Sequence, residues 1–331
     1  MSRSRAAAAF GLLLFLIASV LATAPASAKE RSAELPKHAL TGYWHNFVND
    51  AGALRLSDVP DQYDIVAVSF GEATQTPGEV GFQADPGLSD ALGGYTADDL
   101  KADVAALQSK GKKVILSVGG ERGQVAVGDD AAATTFADSV YGLTQTYGFD
   151  GVDIDLENGL QPDPMAKALR SLREKFGDGL VITMAPQTID MQSPTGSYFN
   201  LALQIKDILT VVNMQYYNSG SMLGCDGQVY SQGTVDFITA LACIQLQNGL
   251  RPDQVGLGLP AGPRAAGGGV VDPAVVNQAL DCLASGTSCG SFKPSQTYPD
   301  IRGAMTWSIN WDIANGGGFA ETVGGHLDTL P

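Results

Sequence analysis

Phe149-Asp150-Gly151-Val152-Asp153-Ile154-Asp155-Leu156-Glu157 sets three acids and three aliphatic residues in strict alternation. On a β-strand successive side chains point to opposite faces, so Asp153, Asp155 and Glu157 share one face and Val152, Ile154 and Leu156 the other. Same-face neighbours lie roughly 6.5–7 Å apart along such a strand. The aliphatic face can pack against helices. The acidic face cannot enter a hydrophobic core unless its carboxyls share protons or bind a partner. A regular apolar face opposite three carboxylates marks an active site rather than a solvated strand.

Working outward, the remaining apolar runs read as seven more strands. They are Ala39–Trp44, Asp64–Phe70, Lys112–Gly120, Leu180–Gln187, Ile208–Asn218, Gln254–Leu259 and Arg302–Ile309. Several are nearly continuous in aliphatic residues, as strands of a parallel sheet buried on both faces are. Helices are expected over Thr96–Lys110, Ala131–Tyr147, Pro164–Phe176, Thr234–Gln247 and Val275–Leu283, with only a weak helical signal around Asn200–Lys206. Residues 72–94 form a Gly/Pro-rich loop too long for a simple connector. Eight strands with helical segments between them specify an α/β fold, a single-domain (β/α)8 TIM barrel over residues 38–331. An open doubly wound sheet is the alternative, but no dinucleotide-type glycine loop follows the first strand. Glu157, Gln187, Tyr217 and Trp307 each fall at the C-terminal end of a strand, where a barrel carries its chemistry.

The first residues have another character. Arg3 and Arg5 precede an apolar run from Ala6 to about Ala22, and Ala26-Ser27-Ala28 follows. This is the pattern of a secretory signal over residues 1–28, with a short polar lead at 29–37. A retained membrane anchor is the competing reading. Cleavage after Ala28 would make the protein secreted and extracellular. It would remove two arginines and no acids, taking the net charge from −15 to −17. Such an acidic surface opposes nucleic acid and anionic membranes and suits a neutral or cationic ligand. Four cysteines, Cys225, Cys243, Cys282 and Cys289, suit disulfides outside the cell, paired by proximity as Cys225–Cys243 and Cys282–Cys289. Zinc is the rival, but the chain has no Cys-x-x-Cys pair with a nearby His, and no metal or cofactor is expected.

Asp150-x-x-Asp153-x-Asp155-x-Glu157 resembles the signature of glycoside hydrolase family 18, the chitinases and their relatives. The resemblance extends to Ser117-x-Gly119-Gly120, Met184-Ala185-Pro186-Gln187, Gln215-Tyr216-Tyr217-Asn218 and Trp307. It is strongest to the compact bacterial and plant-type members, because Ala261–Asp300 is too short for an extra α+β domain. Gln215 and Asn218 stand where many members carry Met and Asp. The resemblance implies Glu157 as general acid, with the substrate's own acetamide as nucleophile in place of a second carboxylate. It implies that Asp155 orients that acetamide, that Asp153 shares a proton with Asp155, and that Tyr217 hydrogen-bonds the acetamide oxygen. Trp307 would stack beneath the reacting sugar, with Tyr43, Trp44 and Phe70 as candidate neighbours; core packing is the competing fate of each aromatic. Gly120, Gln215 and Asn218 would line the substrate site. Gln187 would either touch substrate or hold a loop, and Asp150, of opposite parity to the three acids, would brace the strand.

The implied function is a secreted, monomeric, endo-acting chitinase taking chitin or chitooligosaccharides, with no nucleic-acid partner and no membrane partner once the signal is removed. An endo-β-N-acetylglucosaminidase cutting N-glycan cores would use the same groups. A non-catalytic chitin-binding barrel is the third reading, although such proteins usually lose the acid or its partners.

Overall fold

The computed structural model describes residues 34–331; the expected leader at 1–28 and the start of the polar lead lie outside them. Eight parallel strands, β1 (Ala39–His45), β2 (Ile65–Ala73), β3 (Lys113–Gly120), β4 (Gly151–Leu156), β5 (Val181–Met184), β6 (Val211–Gln215), β7 (Val255–Pro260) and β8 (Gly303–Trp307), pair in chain order. Pairing of β8 with β1 closes the barrel, with Ala39 opposite Gly303. The main helices are α1 (Ala97–Ser109), α2 (Asp130–Tyr147), α3 (Pro162–Phe176), α4 (Ser197–Gln204), α5 (Val235–Gln247), α6 (Pro273–Ser285) and α7 (Ile309–Ala314).

Local chemistry sets these boundaries. Thr96 and Asp99 form a reciprocal capping box on α1, each accepting the other's backbone N–H. Asp129 caps α2, which ends at Gly148 in the left-handed region at φ 80°. Proline stands in the first turn of α3 and of α6.

Several spans differ from the sequence reading. Strands β5 and β6 end at Met184 and Gln215, short of Gln187 and Asn218, and Ile309 begins α7 rather than ending β8. The β1–β2 connection carries one 3₁₀ turn, Leu56–Asp58, in place of a helix, with Pro60 close behind it. The long 72–94 loop contains a short strand, Val80–Gly81, antiparallel to β2, and a helix, Pro86–Ala91. A hairpin, Ser221–Leu223 with Val229–Ser231, was not anticipated. Its strands are only three residues long, too short for a periodicity to register. Cys225 is bonded to Cys243 and Cys282 to Cys289; the first bridge ties the hairpin to α5.

The strand pleat sorts side chains between two compartments. Val152, Ile154 and Leu156 join the large core between barrel and helices. Tyr43, Ile65, Ala67, Ile115, Val181, Ala185 and Met305 fill the barrel interior. Trp44 belongs to the outer core, fully buried with its indole N–H on the Leu54 carbonyl, so it is no neighbour of the substrate site. One residue of parity separates it from Tyr43. On β7, added Cβ atoms at Gly256 and Gly258 would come within 2.3 Å of Asn213 Oδ1 and 2.5 Å of the Met214 carbonyl. Glycine there lets the neighbouring strand and its side chains approach closely.

One buried carboxylate fastens the C-terminal segment to the barrel. Asp312 on α7 accepts from the Tyr63 hydroxyl (2.8 Å) and from the backbone N–H groups of Phe319 (2.8 Å) and Ala320 (3.0 Å). Asp312→Ala would leave three donors without their acceptor and should cost about 3 kcal/mol in urea unfolding. A loss below about 1 kcal/mol would contradict this anchoring role.

Candidate active site

The three acids of β4 lie in a row that rises from the barrel interior to its mouth. Asp153, at the bottom, is fully buried. Its register places it beside Ser117 on β3 and Thr183 on β5. Both hydroxyls donate to it, at 2.7 and 2.6 Å, and the Tyr43 hydroxyl donates at 2.8 Å. Burial pushes Asp153 above the usual carboxylate range, and these three hydroxyl donors offset only part of that rise. Three donors stabilise a carboxylate and leave its oxygens no proton to give, so Asp153 is the ionised member of its pair with Asp155.

Asp155 sits one step higher and holds the proton. Burial pushes its carboxyl well above the usual range, and the charges of Asp153 and Glu157 push it further. The Gln215 carboxamide nitrogen stands 3.1 Å from Asp155 Oδ1, 3.4 Å from Glu157 Oε1 and 2.8 Å from the Ala185 carbonyl. Glu157 lies just past the strand end, half-buried. Its pKa is raised, first by burial and then by the charge of Glu121, against hydrogen bonds from Gln215 and from Gln187 at 3.3 Å. A carboxyl kept protonated above its ordinary range at the mouth of a cleft is suited to general-acid work. Tyr198 on α4 pins the end of β4: its hydroxyl accepts from the Leu156 N–H at 2.6 Å.

The cleft above this row encloses about 970 Å³ and is lined by Asp155, Glu157, Gln187, Gln215, Tyr217 and Trp307. That volume exceeds what one sugar ring needs. Tyr217 is buried, and burial with the charges of Asp155 and Glu157 holds its phenol well above its ordinary pKa, so it remains a neutral donor. Trp307 closes the end of β8, with the Phe70 ring 5.7 Å away and nearly parallel (17°) and the Tyr43 ring at 5.7 Å. The Ser69–Phe70 and Trp307–Ser308 peptide bonds are cis. Gly120, at φ 76°, lines the cleft where a Cβ would come 2.8 Å from the Phe70 ring. Asn218 also borders it, but its carboxamide oxygen accepts from the Gly268 N–H at 3.1 Å. Asp150 faces away, accepting from the Val114 N–H at 2.9 Å and from Gln108 at 2.8 Å.

Some participants escaped sequence reasoning. His45 stacks on Phe47 (4.4 Å, 15°) and lies 4.9 Å from Trp307, forming the back of the aromatic floor. Burial lowers its pKa to about 3, so the ring is neutral and carries no charge to the floor. Ser117 and Thr183 share parity with Asp153, a signal readable once strand register is known. No group of His, Cys, Asp and Glu among the described residues is arranged to hold a metal ion.

The family described as glycosyl hydrolases family 18 matches residues 39–322. Exochitinase 1 of Streptomyces olivaceoviridis is 37% identical over 89% of this chain and 57% of its own length. Chitinase Chi52 of Paenibacillus xylanexedens is 36% identical over 85% of this chain and 60% of its own. The chain therefore spans somewhat more than half of these two relatives. A solved Streptomyces coelicolor structure assigned as a chitinase A is 65% identical, with a TM-score of 0.87, and the match covers 89% of this chain and 99% of that one.

The displaced carboxyl makes a stability prediction. Between its ordinary value of 3.8 and its raised folded value, Asp155 keeps a proton in the folded state that the unfolded chain releases. Folding stability therefore falls as pH rises through that window. Asp155→Asn removes this dependence and should be more stable than wild type at pH 7. The gap should close on acidification towards the ordinary value. Parallel unfolding curves across pH would test it, and a gap that widened in acid would refute the protonation assigned to Asp155.

Proposed function

The chain belongs to family 18 of the glycosyl hydrolases, and on that footing we propose that it is a secreted, endo-acting chitinase. It hydrolyses β-1,4 bonds between N-acetylglucosamine units by substrate-assisted, retaining catalysis. The carrying observation is the row Asp153–Asp155–Glu157, rising from the buried interior of the barrel into a cleft lined by Trp307.

In this reading the reacting sugar stacks on Trp307 and turns its acetamide down towards Asp155. Glu157 gives its proton to the glycosidic oxygen as the bond to the anomeric carbon breaks. The acetamide carbonyl oxygen attacks that carbon from the opposite face and forms an oxazolinium ion. Asp155 hydrogen-bonds the acetamide nitrogen, and the negative charge below it at Asp153 favours the positive charge that develops. Tyr217 supplies a neutral donor in the same cleft, suited to the acetamide oxygen. Glu157, now a carboxylate, takes a proton from water as the water opens the ring of the intermediate, which gives net retention.

An N-glycan endo-β-N-acetylglucosaminidase would use these same groups, so substrate choice needs its own measurement. Products from chitin oligomers should accumulate while an N-linked glycoprotein stays intact; the reverse would replace the chitinase reading. Glu157→Gln should retain oligosaccharide binding but reduce turnover at least about a hundredfold. Near-normal turnover would remove Glu157 as the acid. NMR of fresh products from a chitin tetramer should show the β-anomer first, and initial α-anomer would contradict acetamide participation.

A further inference from the structure

A second indole faces the cleft. Trp311, on α7, lines the same cavity as Trp307, yet it is only 6% exposed. One face of the indole carries a side chain from a neighbouring loop. The Arg264 guanidinium carbon lies 4.9 Å from the centroid of the Trp311 ring. Arg264 also reaches Asp50 with an N–O distance of 3.8 Å, and the two side chains are 63% and 84% exposed. The pair therefore joins the loop after β7 to the loop after β1, across the face of Trp311.

Both loops are held by α7 and the residue that caps its C-terminus. Asn315 donates to the Ala261 carbonyl at 3.3 Å, and Asn310 donates to the Gly52 carbonyl at 3.2 Å. A tight turn from Gly262 to Ala265 carries Arg264, and an added Cβ at Gly262 would strike the Asn315 carboxamide at 2.0 Å. The backbone under the latch is thus fixed, while the two side chains forming it are long or exposed. Exposed ion pairs and exposed cation–π contacts are individually weak. A polar ring face that stacks an arginine can also stack a sugar, because both present C–H or N–H groups to the same π surface.

We infer that Trp311 is a second sugar platform of the cleft and that the Arg264–Asp50 pair is a displaceable latch over it, so that only chains long enough to displace the latch gain the platform. This rests on the chitinase reading and adds a determinant of oligomer length to it. Short oligomers use the Trp307 end of the cleft and ignore the latch. Longer ones spend part of their binding in moving Arg264 aside.

The test compares chitotriose with chitohexaose as substrates of wild type, Arg264→Ala, Asp50→Asn and Arg264→Ala/Trp311→Leu. Arg264→Ala should raise the hexaose-to-triose ratio of kcat/KM about threefold or more, with triose turnover little changed, and Asp50→Asn should raise it by less. Adding Trp311→Leu should abolish the gain. Salt raised from about 0.02 to 1 M should increase the ratio in wild type but not in Arg264→Ala. Acrylamide should quench tryptophan emission more strongly in Arg264→Ala than in wild type, and Trp311→Leu should remove the difference, independently of any substrate. A ratio unchanged or lowered in Arg264→Ala, with wild type cleaving both oligomers, would overturn the latch alone. Failure of wild type to cleave any chitin oligomer would instead sink the chitinase reading, and with it the ligand assigned to Trp311.

Discussion

Three hydroxyl groups on one buried carboxylate organise the centre of this molecule. A barrel interior is a poor solvent for charge, and Asp153 is tolerated there because Tyr43, Ser117 and Thr183 replace the water it has lost. Once Asp153 is held as an anion, a second anion directly above it is too costly, and Asp155 keeps its proton. Glu157, at the mouth, is less buried and can exchange protons with solvent. The gradient from ionised to protonated to titratable follows depth along a single strand.

The surroundings serve this gradient from both sides. The outer face of β4 is sealed by the helices through Val152, Ile154 and Leu156. Tyr198 grips the backbone where β4 ends, which fixes the direction in which Glu157 leaves the strand. Across the barrel, the floor is built from Trp307, Phe70, Tyr43, His45 and Phe47, with the imidazole behaving as one more uncharged ring. Gln215 links the two upper acids, since one carboxamide addresses both Asp155 and Glu157. A carboxamide there adds a donor without adding charge, which suits a site already crowded with acids.

The same division between rigid frame and movable side chains recurs at the rim. α7 and its C-terminal capping residue hold the loops after β1 and β7 through Asn310 and Asn315, and between these two residues the helix presents Trp311. Long side chains on a fixed backbone can close such a gap at little cost and reopen it without moving the fold. Barrel enzymes commonly vary their chemistry through these loops, because the strands below are constrained by packing on both faces.

The alternation of acids with aliphatics, the eight apolar runs and the capping residues were legible in the chain because each depends on neighbours a few positions away. From them came the barrel, the common face of Asp153, Asp155 and Glu157, and the placing of Trp307 at a strand end, whereas Tyr217 lies two residues past the end of β6. The three donors to Asp153 stand 110, 36 and 30 residues from it in the chain, and strand register alone brings them together. Tertiary structure also decided that Tyr43 faces the cleft while Trp44 faces the helices. It decided too that Phe47 and His45 complete the floor and that Arg264 lies across Trp311. Local sequence carries side-chain parity and helix ends because those are short-range; which hydroxyl meets which acid depends on barrel closure, a long-range property that no single stretch contains.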